Sequence, residues 1–436
     1  MTNFDVIESY ADDFTKWRIE NTVVTSTQKK IVIAAGTELK YNVAYKGFGN
    51  SIAKFNIKYT GNAVIRYQYN KEDGTTGIIT IDKSGIYHLP ASIKAQKNFG
   101  FYCNPQTVTE ETTIEQLPTS ILKDFSGNKH DAYLYGFKGK LNSGVGVYKI
   151  DFSKSTNANA FDNFERFNNK FIAKGNYNGN WNTFGQYDIN GIVKNKVTIK
   201  ITGLNNPKNE LVLEYGYLTT DSKYITTVTF INKDGVYTYD LNDIVIPEGS
   251  NIAQTIYNRF YFDKEVINDV NLIVEEIPDY PNQLCYDGKS YAVAYGLPIL
   301  TDYTIIADRT WFKDKVKSWS YFIDKSKAFV FERTSNGNNF SAKSFAAETS
   351  INIEENNVSY QTKTSYNGNI INYHSDQSDN DDRLVIGSTK DSLGNQCFIG
   401  CHSDILIFNR TLTEYEISWV KNNVMCSKQQ EPDIDL

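Results

Sequence analysis

The sequence predicts an all-β protein made of multiple β-sandwiches, and three observations carry that expectation. Its 436 residues hold 30 Tyr and 25 Phe against two Met and nine Pro, a balance that favours strands because aromatic side chains fit a pleated, half-buried surface. Stretches such as Val197-Thr198-Ile199-Lys200-Ile201 alternate apolar and polar residues, so one face turns inward and the other meets water. Two long regions also match one another in ordered patches. Since one hydrophobic core rarely grows past roughly 250 to 300 residues, several domains are expected.

The repeat comprises residues 1–117 and 150–280. Phe14-Thr15-Lys16-Trp17 aligns with Phe164-Glu165-Arg166-Phe167, and Ile57-Lys58-Tyr59-Thr60-Gly61 with Ile199-Lys200-Ile201-Thr202-Gly203. Further on, Arg66-Tyr67-Gln68-Tyr69 matches Glu214-Tyr215-Gly216-Tyr217, and Phe101-Tyr102 matches Phe260-Tyr261. Asp82-Lys83-Ser84-Gly85-Ile86-Tyr87 and Asn232-Lys233-Asp234-Gly235-Val236-Tyr237 each read as a turn, with glycine free to take positive φ, that feeds the next strand. Both copies leave through similar residues, Glu115-Gln116-Leu117-Pro118 and Glu275-Glu276-Ile277-Pro278. Some eight strands in each copy are expected to close as a β-sandwich, the N-terminal one resembling a carbohydrate-binding module.

A third domain reads as split around the second copy. Its opening is Asp124-Phe125-Ser126-Gly127-Asn128 running to Ala132-Tyr133-Leu134-Tyr135-Gly136; the rest begins at Leu284-Cys285-Tyr286-Asp287-Gly288 and continues through Tyr303-Thr304-Ile305, Ile386-Gly387-Ser388 and Ile407-Phe408-Asn409-Arg410. These patches, in this order, resemble the concanavalin A-like, laminin-G-like lectin family, weakly between about 310 and 380. The resemblance implies a jelly roll formed by 119–149 with 282–425, interrupted at a surface loop by the sandwich 150–280 and followed by a tail, 426–436. Insertion is tolerated where the ends of an exposed loop lie close together. Near the end, Thr413-Glu414-Tyr415-Glu416 has the hydroxyl-to-carboxylate spacing of a helix start, with Ile417, Trp419 and Val420 offering an apolar side.

Net charge is −6 with both signs interspersed, so no positive field invites nucleic acid. Met1-Thr2-Asn3-Phe4-Asp5 has neither the basic nor the apolar part of an export signal, and no apolar run approaches the roughly 18 residues of a membrane helix. The chain is therefore expected to be made in a cytosol and not inserted in a membrane. Five scattered cysteines, at 103, 285, 397, 401 and 426, form no disulfide framework, and Cys397, Cys401 and His402 lack the fourth ligand of a zinc set.

Members of the lectin-like family that cleave β-glucans carry E-x-D-x-x-E on a strand, which places acid and nucleophile on one face. That motif is missing, Glu275-Glu276 and Glu354-Glu355 would point to opposite faces, and no histidine sits in a nucleophile-elbow context. The expectation is a protein that is not an enzyme and that binds. Tyr177, Asn178, Asn180, Trp181 and Asn182 put an aromatic face among short amides, which suits a sugar. Trp311 and Trp319 read as packing residues. Asp376, Asp379 and Asp381 offer clustered oxygens to calcium, the one cofactor the sequence suggests, although their loop lacks the EF-hand spacing.

Tandem sandwiches, a lectin-like domain, no export signal and a composition rich in Asn, Tyr and Lys together resemble virion proteins of tailed bacteriophages, the crAss-like phages in particular. That resemblance implies a head or tail fibre or a decoration protein on the virion surface, whose partners are other virion proteins, further copies of itself and host surface glycans. The alternatives are a bacterial cell-surface or secreted polysaccharide-binding protein and a glycoside hydrolase.

Overall fold

The computed structural model describes residues 5–94, 97–154, 161–177, 182–184, 196–204, 210–240, 243–262, 266–312, 319–325, 328–333, 340–343, 351–352, 358–370, 379–425 and 434–435. The chain is nearly all β, as its composition predicts, with several antiparallel sheets packed as β-sandwiches and one α-helix among the described residues. No helix among them is long and apolar enough to cross a membrane.

Strand alternation builds the first sandwich. Phe55–Thr60 buries Phe55, Ile57 and Tyr59 and turns Asn56, Lys58 and Thr60 outward, the period-two pattern of a half-covered sheet. It lies in a five-stranded sheet ordered Val24–Ser26, Lys30–Ile33, Thr112–Gln116, Phe55–Thr60, Gly85–Leu89. The facing sheet runs Asn42–Lys46, Phe99–Cys103, Ile65–Asn70, Thr76–Ile81. Between them lies a core that includes Phe14, Trp17, Tyr59, Tyr67, Phe99 and Phe101.

A second pair of sheets has the same order. Phe161–Arg166, Lys170–Tyr177, Val266–Ile277, Lys196–Thr202 and Gly235–Asp240 make its five-stranded sheet; Asn182–Phe184, Ile252–Phe262, Leu211–Thr219 and Tyr224–Ile231 make its four-stranded one. Gly61 and Gly203 end equivalent strands at φ of +117° and +93°, where a Cβ would lie 2.3 Å from Thr112 Oγ1 or 1.6 Å from the Asn271 carbonyl oxygen. In both turns a tyrosine hydroxyl donates to the carbonyl four residues earlier, Tyr87 to Lys83 at 2.8 Å and Tyr237 to Lys233 at 2.7 Å.

Two sequence alignments need correction. Phe14–Lys16 is a 3-10 turn and Phe161–Arg166 a strand, so they are not equivalent. The counterpart of Phe14–Lys16 is the 3-10 turn Phe152–Lys154. Each follows an aspartate, Asp13 or Asp151, whose carboxylate accepts from the amide two residues on, and Phe14 and Phe152 donate their own amides to Gln28 and Asn168. Phe260, opposite Leu213, corresponds to Cys103, opposite Ile65, two residues from the Phe101 that the sequence suggests.

Apart from the short pair Glu38–Leu39 and Gln106–Thr107, the remaining strands form two larger sheets around a core holding Phe137, Tyr286, Trp311, Phe322, Phe331 and Phe398. Ala132–Tyr135 pairs with Tyr291–Ala294, and Gly144–Val147 with Asp279–Asp287, so strands before and after the second sandwich share both sheets. Val6 lies in this core, and the Glu8 carboxylate accepts from the Gly136 amide, so Val6 and Glu8 reach this sandwich, while Glu8 also lies 3.6 Å from Lys29 Nζ of the first. The expected tail contributes too, since Ile434–Asp435 pairs with Ile121–Leu122.

The helix Glu414–Asn423 starts at the predicted capping box, where Thr413 Oγ1 accepts from the Glu416 amide and the Glu416 carboxylate accepts from the Thr413 amide at 2.8 Å. Ile417 and Val420 pack on Ile306, Tyr360 and Leu412. Trp419, expected on that face, is 52% exposed, because it stands about 200° around the helix from Ile417.

Candidate functional site

The outer face of one large sheet of the third sandwich is divided in two. Tyr133, Tyr135, Tyr291 and Tyr295 occupy one half, with Tyr135 and Tyr291 stacked at 5.1 Å. The first sandwich covers them: Asn56 Nδ2 donates to the Tyr133 hydroxyl at 2.9 Å, and Lys58 Nζ lies 5.5 Å from the centre of the Tyr295 ring. The other half holds a groove of about 330 Å³ lined by Trp319, Tyr321, Asp324, Glu332, Lys390 and Asp391, with Val330, Thr389 and Gln396 completing it.

A β-bulge brings these side chains together. Ser320–Lys325 pairs with Phe329–Arg333 so that Tyr321 faces Glu332 and Asp324 faces Val330, with a register shift between Tyr321 and Ile323. The extra residue lets Phe322 and Ile323 both enter the core while Tyr321 and Asp324, three apart, share the outer face. Regular alternation would have put them on opposite faces. The loop after Leu384–Ile386 closes one side, held by Tyr321 N to Gln396 O at 3.0 Å and Ser320 Oγ to Cys397 O at 3.1 Å.

Asp324 is the best-placed ligand group in the groove. The residue is 3% exposed; Oδ2 accepts from Thr389 Oγ1 at 3.0 Å and from the Lys390 amide at 2.9 Å, while Oδ1 has no partner among the described residues. Burial pushes its pKa up against the pull of those donors. The Tyr321 hydroxyl is pushed up as well, by burial first and then by the neighbouring Glu332 carboxylate. Lys390 is ion-paired with Asp391 at the rim. The groove thus combines aromatic surface with buried and rim carboxylates, one oxygen of which has hydrogen-bonding capacity left.

Of the residues expected to bind sugar, Asn178, Asn180 and Trp181 lie outside the described residues; Tyr177 ends the strand Lys170–Tyr177 and Asn182 begins Asn182–Phe184. Asp376, expected among the calcium ligands, also lies outside them. Asp379 and Asp381 are matched to cations of the protein itself. Asp379 Oδ2 is 2.7 Å from Lys325 Nζ with both side chains fully buried, and it accepts from the Leu300 amide at 2.8 Å; Asp381 takes the Arg383 guanidinium. Trp311 is core, edge-on to Phe398 at 4.7 Å, as a packing residue should be, whereas Trp319 lines the groove. The spacing Trp319, Tyr321, Asp324 carries a faint strand signal in the sequence, but the bulge that completes the set is invisible there.

No family model and no curated protein matches this chain. Among solved structures, the Trypanosoma rangeli sialidase in complex with 2,3-difluorosialic acid, a covalent intermediate, aligns over 93% of this chain and 84% of that one, at 9% identity and a TM-score of 0.25. The expectation that the chain is not an enzyme is corrected by this finding, because the structure that aligns is an enzyme. A likeness at that level assigns this chain neither a reaction nor a substrate. The expectation rested on the missing E-x-D-x-x-E motif, which is no test here, because Asp324 and Glu332 line the groove from adjacent strands and leave no such trace in the sequence.

Proposed function

We propose that this chain is a virion structural and adhesion protein of a tailed bacteriophage, a fibre or decoration component, and that its lectin-like third sandwich contacts host surface glycans through the groove at Trp319. The observation that supports the glycan contact is the unpartnered Asp324 Oδ1 beside Trp319 and Tyr321. A sugar ring lays its C–H face on an aromatic ring while its hydroxyls donate to a carboxylate, so one ligand satisfies both features. The virion assignment is supported by the sandwich architecture and by the sequence resemblance described above.

The test pairs two measurements. Purified protein is titrated against a panel of bacterial surface polysaccharides, with Trp319→Ala and Asp324→Asn as variants. Losing the aromatic face should weaken the tightest interaction about 2- to 10-fold, the equivalent of roughly 0.5 to 1.5 kcal/mol of ring contact. No binding by the wild type, or equal binding by Trp319→Ala, would remove the groove from the proposal. Antibody labelling of phage particles in the electron microscope should place the chain at a fixed position on the virion; labelling of bacterial envelopes instead would favour a polysaccharide-binding protein of the cell surface.

A further inference from the structure

Two of the five cysteines, far apart along the chain, are brought together by strand register. Asp279–Asp287 pairs antiparallel with Ile399–Phe408 in one of the two large sheets, and Cys285 lies directly opposite Cys401. The kind of pair they form sets their separation. Just beyond the strand the Gly288 amide donates to the Phe398 carbonyl at 3.0 Å, which marks Gly288 and Phe398 as a hydrogen-bonded pair. Hydrogen-bonded and open pairs alternate along an antiparallel ladder, so Tyr286 with Gly400 is hydrogen-bonded and Cys285 with Cys401 is open. The opposite edge of the same strand gives the same phase, since the Phe312 amide donates to the Ile399 carbonyl there at 3.0 Å. In an open pair the Cα atoms stand about 4.5 Å apart and the side chains approach closely, within the span that a disulfide bridges.

Leu284 and Tyr286 point into the core of the third sandwich, whereas Cys285 and Cys401 point the other way, into a small cluster with Val147 and Phe312. Their flanking neighbours across the sheet are Gly144, which has no side chain, and Thr310. Both are fully buried free thiols. Burial, and then the neighbouring Cys285 thiol, hold the Cys401 thiol well above its ordinary pKa.

We propose that Cys285 and Cys401 are a redox pair that closes into a cross-strand disulfide when the protein passes from reducing to oxidising surroundings. The oxidant is a small-molecule disulfide of the glutathione type. One cysteine, as thiolate, attacks a sulfur of that reagent and expels a thiolate, which takes up the proton; the second cysteine then attacks the mixed disulfide and expels the other half. Two protein thiols are oxidised and one reagent disulfide is reduced to two thiols. With both sulfurs buried, exchange waits on local opening of the strands and is slow. The bond fastens the strand that returns from the second sandwich to its neighbour, and it closes a long loop that constrains the unfolded chain. The pair is independent of the groove, and either proposal can fail without the other.

Peptide mapping of the full chain tests it. Protein is held for several days in oxidised glutathione or in dithiothreitol, each with and without urea below the unfolding transition to admit the reagent, then alkylated and digested. The oxidised sample should yield the Cys285 and Cys401 peptides joined, roughly 2 Da lighter than the two reduced peptides together. It should also melt about 5 to 15 °C above the reduced sample, a difference that vanishes in Cys285→Ala and in Cys401→Ala. Cys285 and Cys401 both still alkylated after oxidation in urea, either one joined instead to Cys103, Cys397 or Cys426, or a linked chain that melts no higher would overturn the proposal.

Discussion

His402 is buried in the third sandwich, stacked on Tyr286 at 5.5 Å and edge-on to Phe322 at 5.7 Å, with Nε2 3.0 Å from the Tyr286 hydroxyl. Burial lowers its pKa from 6.5 to about 4. The folded chain therefore keeps the ring neutral down to about pH 4, whereas the unfolded chain takes up a proton near 6.5. Between those values the unfolded state holds more protons, so stability is fully present above pH 6.5 and falls as the pH is lowered toward 4. A shift of this size corresponds to roughly 3 kcal/mol at the acid end. Urea titrations at pH 7 and pH 4 should show the wild type losing about that much more stability than His402→Phe, whose acid sensitivity retains the carboxylate contributions alone; parallel losses would refute the assignment. The sequence drew attention to His402 as part of an incomplete zinc set with Cys397 and Cys401. Its burial could not be read there, because the neighbours that desolvate it, Tyr286 and Phe322, are 116 and 80 residues away along the chain.

At the scale of elements, what the sequence discloses is whatever a few consecutive residues decide. The capping box at Thr413 and Glu416 is such a case, and so is the glycine turn ahead of Tyr87 and Tyr237, where side chains close hydrogen bonds within four residues. Thr413→Ala leaves the Glu416 amide without its acceptor and should cost about 1 kcal/mol in chemical denaturation, with Thr413→Ser close to wild type; equal stability of the Ala and Ser variants would show that the cap is idle. The bulge in Ser320–Lys325 is the opposite case. Its existence depends on where Phe329–Arg333 pairs, and the run Ser320-Tyr321-Phe322-Ile323-Asp324 reads as an ordinary strand with one misplaced apolar residue. The groove was therefore missed at the element that makes it. The ion pair of Asp379 was missed for a related reason, since an acidic loop shows its carboxylates in sequence but not the Lys325 that reaches Asp379 from another strand.

At the scale of the whole molecule, the two repeated sandwiches are fastened by the same device with different chemistry. In the first, Gln116 ties the exit strand to the entry segment, accepting from the Asp12 amide at 3.2 Å and donating to the Asp12 carbonyl at 2.8 Å. In the second, buried Glu276 occupies that place and accepts from the amides of Lys149 and Ile150, both at 2.8 Å. Lys149, buried as well, adds an ion pair with Asp279 at 2.7 Å. The clasp holds the two chain crossings side by side, where Val147 and Asp279 are already cross-strand partners in the third sandwich. Those ends are thus close enough for a tight turn to join them. Replacing residues 149–278 with a short turn containing glycine should leave the third sandwich folded. The shortened chain should keep its near-ultraviolet signal from the buried Tyr286 and Trp311 and lose the thermal transition of the second sandwich, because that core shares no residue with the one it leaves behind. If the excised protein is instead unfolded or molten, the second sandwich is a structural support of the third and not a module carried on it.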